Sequence, residues 1–132
     1  MFKEHRIQLA EVGLNYAEGP NSGPPLVMLH GGSNRWQRWM SVLPQLAERW
    51  HVFAPDLRGH GASSWTPNDY SIRSFTDDVV AFLDRVVLER AALFGHSLGA
   101  EVAVWTAARS PHRVRGLVVE DGPFTGGGGR CR

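Results

Sequence analysis

The sequence is poor in cysteine, with Cys131 as its single example among 132 residues. One thiol cannot build an intrachain disulfide framework, which fits a reducing compartment such as the cytoplasm. Charge of one sign is also missing: the formal net charge is +1 at pH 7, and Lys and Arg are spread along the chain. No basic block is present, so nucleic acid and anionic membrane surfaces are not expected partners. No apolar run approaches the roughly 18 residues of a membrane span. The charged residues that follow Met1-Phe2, Lys3-Glu4 and Arg6, have no apolar stretch behind them, so the N-terminus does not read as a secretory signal. Clustered metal ligands and a phosphate loop are absent from the pattern, so no cofactor and no metal is implied.

What remains is ordinary for a globular chain: 42% hydrophobic residues and 20% charged. This length accommodates one domain with a real core. Apolar runs and amphipathic stretches alternate, the pattern of an α/β sheet. Residues 6–10 and 12–17 read as a hairpin around Gly13. Leu26-Val27-Met28-Leu29 is continuously apolar, as in a strand covered on both faces. Trp36, Trp39, Leu43, Leu46 and Trp50 recur at helical spacing and predict a helix over 36–48 that tolerates Pro44 with strain. His51–Ala54 and Ala91–Phe94 are further strands, and Leu117–Val119 is the last. Ile72, Phe75, Val79, Phe82, Leu83 and Val86 predict a helix over 72–88, capped by Ser71 or Asp69. A third helix runs from Leu98 to Ala108, ended by Ser110-Pro111. Residues 1–124 form the domain, and residues 125–132 read as a glycine-rich tail.

Two patterns carry chemistry. Gly95-His96-Ser97-Leu98-Gly99 lies between a strand and a helix. A serine on such a turn has a strained backbone, flanked by glycines where a Cβ would clash. Its oxygen stands above the sheet at a helix N-terminus, where amides and the helix dipole favour an oxyanion. The plain alternative is a Gly-Ser helix cap. The second pattern is His30-Gly31-Gly32-Ser33, directly after the apolar run 26–29.

With these two motifs and the Asp56-Leu57-Arg58-Gly59-His60-Gly61 loop, the chain resembles the α/β-hydrolase family over roughly residues 5–124. The resemblance implies a mostly parallel sheet in the order 1-2-4-3-5-6, with helices on both faces and residues 26–30, 51–55, 91–95 and 116–120 as its parallel strands. It implies Ser97 as nucleophile, and the amides of Gly32 and Leu98 as oxyanion donors, with Ser33 a poorer substitute for Gly32. Epoxide hydrolases and haloalkane dehalogenases of this scaffold carry a carboxylate at the nucleophile position. The serine here implies acyl transfer on an ester, lactone or related carbonyl substrate, or cofactor-free haloperoxidase-like chemistry.

The acid is expected at Glu120 or Asp121, where the plain alternative is a solvated carboxylate at a strand end. None of the six histidines stands where the family places its base. His30 is expected to be structural, His96 to point away from Ser97, and His60 and His112 to lie in loops. Family members are about twice this length, so the resemblance implies a chain that stops before the lid and the last two strands. The expected results are a premature end, an open strand at 116–120 that invites a homodimer, and doubtful activity for the chain alone. A non-catalytic domain that binds a small acyl compound or another protein is the alternative.

Overall fold

The computed structural model describes residues 1–122, so the tail at 125–132 lies outside the described residues. Six strands form one sheet: β1 (Lys3–Gln8), β2 (Gly13–Glu18), β3 (Pro25–Leu29), β4 (His51–Pro55), β5 (Ala91–His96) and β6 (Val114–Glu120). Their spatial order is β1-β2-β4-β3-β5-β6. The β1–β2 and β2–β4 pairs are antiparallel, and the β4–β3, β3–β5 and β5–β6 pairs are parallel. The order and the parallel core are as the family resemblance implies.

Period-2 alternation sorts the strand residues onto two faces. Val27, Leu29, Phe53 and Leu93 pack with Phe75, Val79 and Phe82 of α2 (Ile72–Phe82) and Val102 of α3 (Leu98–Arg109). Leu26, Met28, Val52 and Ala54 face the other way, toward Trp36, Trp39 and Leu43. Every residue of β3 is buried, which is why its sequence is continuously apolar. Among the described residues no helix is long and apolar enough to cross a membrane.

Three local expectations are corrected. The hairpin's first strand runs over Lys3–Gln8 rather than 6–10. It is an exposed edge rich in charge, a common protection against unwanted pairing, and so carries no apolar pattern to mark its start. The helix expected over 36–48 is two pieces, a 3₁₀ turn at Trp36–Trp39 and the one-turn α1 at Leu43–Leu46. Pro44 sits in the first turn of α1, where its missing N–H costs nothing, so the chain breaks before it instead of straining around it. The apolar face was legible; the continuity of the helix was not. Helix α2 passes into a π turn at Leu83–Val87 and stops at Leu88 with φ 67°. Ser71, not Asp69, caps α2: its side chain accepts from the Ser74 amide at 3.1 Å.

Strand β6 is an edge among the described residues, and Leu117, Val118 and Val119 on it are 40%, 55% and 41% exposed. A cavity of about 560 Å³ opens over the Leu26–Met28–Phe94 face of the sheet, between it and Trp39, Val42 and Leu46.

Candidate active site

Ser97 joins β5 to α3 with φ 54° and ψ −114°. Such a conformation costs a non-glycine residue about 1–3 kcal/mol and persists only where the surroundings enforce it. Here they do. The Ser97 amide donates to the Glu120 carbonyl at 3.0 Å, and the Ser97 carbonyl accepts from Ala100 and Glu101 at 3.0 and 3.2 Å as α3 begins. The glycines on either side are required by contact. A Cβ on Gly95 would lie 2.3 Å from the Gly99 carbonyl oxygen, and one on Gly99 would lie 2.1 Å from that of Leu29. Ser97 is half-buried, and among the described residues its side chain caps nothing and has no hydrogen-bond partner. Ser97 thus occupies the N-cap position of α3 without a side-chain capping bond.

The turn after β3 faces the elbow. A Cβ on Gly31 would lie 3.3 Å from Ser97 Cβ and 3.1 Å from His96 Cδ2, so the two turns are in close apposition. Gly32 is exposed, has open space where a Cβ would stand, and precedes Ser33 at φ 63°. The N-terminal turn of α3, with Leu98 at its first position, presents backbone amides on the other side.

The histidines separate by their partners. His30 is fully buried: Leu57 N–H donates to its Nε2 at 3.0 Å, so Nδ1 carries the proton and donates to the Gly31 carbonyl at 2.7 Å. Burial pushes its pKa from 6.5 down to about 4, against the raising effect of the Gly31 hydrogen bond. It is a neutral tie between loops, as expected. Because the folded pKa lies below the unfolded one, its contribution is complete above pH 6.5 and is lost as pH falls towards 4. At about 1.4 kcal/mol per pKa unit, the loss amounts to about 3 kcal/mol. The urea midpoint should therefore fall between pH 7.5 and 4.5, and His30→Gln, less stable at neutral pH, should show a flatter profile. A variant with the wild-type pH dependence contradicts this.

His60 Nδ1 lies 2.9 Å from the Arg58 carbonyl, and its ring centroid is 5.1 Å from that of His30. His5 and His51 pair with Glu18 at the opposite end of the sheet, where β4 begins, and His112 is exposed after α3. His96 turns away from Ser97, with Nδ1 3.1 Å from Glu120 Oε1 and Nε2 3.4 Å from Arg38 Nη2. Asp121 follows Glu120 at φ 53° and is exposed. Among the described residues, neither carboxylate is brought against a histidine that reaches Ser97.

Asp56 is buried and wholly committed to structure, accepting from Trp36 N–H (2.7 Å), Asn15 Nδ2 (3.0 Å) and Ala62 N–H (3.0 Å). The neighbouring Arg58 donates to both oxygens of Asp78, Nε at 2.6 Å and Nη2 at 2.8 Å. These bonds push the guanidinium pKa further up, whereas burial pushes the Asp78 carboxyl up against the pull of Arg58. Sequence reasoning found neither the Arg58–Asp78 pair nor the contacts of His96 with Glu120 and Arg38.

Comparison with known proteins adds to this geometry. The family described as alpha/beta hydrolase fold matches residues 24–127. A 2-hydroxymuconate semialdehyde hydrolase of Pseudomonas sp. (strain CF600) is 41% identical over 103 residues, covering 74% of this chain and 36% of the relative. A soluble epoxide hydrolase of Corynebacterium sp. (strain C12) is 36% identical over 117 residues, covering 89% of this chain and 41% of the relative. The crystal structure of E-2-(acetamidomethylene)succinate hydrolase superposes with a TM-score of 0.84 at 31% identity, covering 89% of this chain and 43% of that one. The chain thus spans about two fifths of the length of these relatives.

Proposed function

Because this chain belongs to the α/β-hydrolase fold family, we propose that it is part of a serine hydrolase whose nucleophile is Ser97. The reaction is acyl transfer to water on a small ester, lactone or related carbonyl substrate. The Ser97 oxygen forms a bond to the carbonyl carbon as the C=O π pair moves onto oxygen. The amides of Gly32 and Leu98 receive that oxyanion, and one such donor is worth roughly 10²–10³ in rate. Collapse expels the alcohol or other leaving group and leaves an acyl-Ser97 ester. Water then cleaves that ester and restores the serine. The serine proton must pass to a base, and among the described residues no histidine is placed to take it. The base therefore comes from outside residues 1–122.

The observation that carries this reading is the strained backbone of Ser97, held between two glycines that neighbouring backbone makes obligatory, with a hydroxyl that has no partner among the described residues. A structural serine has no need of such a conformation. Three hydrolases among the similar proteins support the general class, and 2-hydroxymuconate semialdehyde hydrolase in particular supports a carbonyl substrate. The single cysteine supports a cytoplasmic setting, and the exposed apolar residues of β6 support pairing of two copies through that edge.

A panel of activated short-chain esters tests the proposal. Slow hydrolysis by the wild-type chain, abolished in Ser97→Ala at unchanged thermal midpoint, is the expected result; equal turnover by both rejects it. Residual rates of this kind are expected of an oxyanion site without its base. A second reading is a non-catalytic domain, favoured by the apolar cavity of about 560 Å³, which Ser97 does not line. Saturable binding of an acyl compound with no turnover and no modification of Ser97 is its signature.

A further inference from the structure

The elbow is also held by residues outside its motif. Parallel pairing of β5 with β6 sets His96 beside Glu120. Glu120 then engages the elbow twice: its carbonyl accepts the Ser97 N–H at 3.0 Å, and its carboxylate lies 3.1 Å from His96 Nδ1. Arg38, from the 3₁₀ turn after β3, approaches the other ring nitrogen at 3.4 Å. A guanidinium has only donors, so Nε2 is the acceptor and Nδ1 carries the proton that Glu120 accepts. Both nitrogens are thereby engaged, and neither is free to take a proton from Ser97. The ring itself abuts the Gly31-Gly32 turn. Its Cδ2 would stand 3.1 Å from a Cβ at Gly31, whose next neighbour there would be Ser97 Cβ at 3.3 Å. The imidazole therefore packs beside the serine against the Gly31-Gly32 turn.

We propose that Glu120 is a positioning residue: it fixes His96 as the Nδ1–H tautomer, and the fixed ring, packed beside Ser97 against Gly31, holds the Gly31-Gly32 turn in place relative to the serine. This rests on Ser97 being the nucleophile, and it assigns Glu120 a role other than the acid partner of a catalytic histidine. Displacements of reacting groups by about 1 Å can cost up to two orders of magnitude in rate, so a loosened ring should be visible kinetically.

The test compares wild type, Glu120→Gln and Glu120→Ala by two readouts, with thermal midpoints as a control. In the first, a fluorophosphonate probe modifies Ser97. Glu120→Ala should lower the limiting rate roughly tenfold with little change in the half-saturating probe concentration. Glu120→Gln keeps an acceptor oxygen and should stay within about twofold. If Gln loses as much as Ala, the charge and not the hydrogen bond is what matters, and the proposal fails. It also fails if neither variant changes the rate, or if losses merely follow the thermal midpoint. The second readout is the ¹⁵N shifts of His96, assigned with His96→Gln. Wild type and Glu120→Gln should show the Nδ1–H tautomer, and Glu120→Ala should move toward averaged shifts. Unchanged shifts in Glu120→Ala overturn the clamp whether or not Ser97 reacts. A wild-type chain that resists the probe rejects the nucleophile reading and, with it, any kinetic role for the clamp.

Discussion

Gly99→Ala is expected to lower the thermal midpoint by roughly 10 °C or more and to remove whatever reactivity Ser97 has. The added methyl would lie 2.1 Å from the Leu29 carbonyl oxygen, 2.5 Å from the Leu29 carbonyl carbon and 2.6 Å from the His30 carbonyl oxygen. All three are backbone atoms of the central strand and its exit, so no side chain can swing aside to relieve the contact. Either α3 lifts from the sheet or β3 shifts against its neighbours. Overpacking of this kind costs about 3 kcal/mol. Lifting α3 also moves Leu98 away from the Gly31-Gly32 turn. A differential scan of Gly99→Ala beside Ser97→Ala checks this. The serine variant removes one oxygen and should melt near wild type. A Gly99→Ala midpoint within 2 °C or so of wild type would show that helix and strand have more slack than the packing indicates.

Asp78→Ala should be comparably damaging for an electrostatic reason. The side chains of Arg58 and Asp78 are 5% and 7% exposed, so neither charge is solvated. Removing the carboxylate leaves a buried guanidinium with Asp69, itself 48% exposed, as its remaining acidic partner. Breaking a buried pair from one side costs about 3–5 kcal/mol, mostly the stranded charge. Arg58 also holds the Asp69 carbonyl at 3.2 Å, so the loop that leads into α2 should loosen as well. Urea unfolding is the measurement. The expected sign is a large drop for Asp78→Ala and a smaller one for Asp78→Asn, which keeps one acceptor oxygen. A change below 1 kcal/mol or so for Asp78→Ala would mean that Asp69 and water compensate.

What could be read from the sequence follows the range of the forces involved. The buried strands and the elbow were legible, since the apolar run 26–29 and the Gly95–Gly99 spacing are local consequences of sheet burial and of a tight turn, whereas the strand order followed only from the family resemblance. The one-turn α1 was not, because Trp36, Trp39 and Leu43 keep a common apolar face whether or not the backbone between them is continuously helical. The Arg58–Asp78 pair spans 20 residues and the His96–Glu120 contact spans 24. The second exists only because the β5–β6 register is parallel and places those two residues side by side. Hydrophobic periodicity specifies that a strand is buried, not which residue of its neighbour it faces.

Covalent modification bears most directly on Ser97 as a poised nucleophile. The chain is incubated with a fluorophosphonate near neutral pH, then weighed intact and mapped by peptide mass. The account predicts a single adduct per chain on the peptide that contains Ser97, formed faster than on any other serine and absent from Ser97→Ala. Adducts scattered over exposed serines at equal rates, or an adduct that persists in Ser97→Ala, would contradict it.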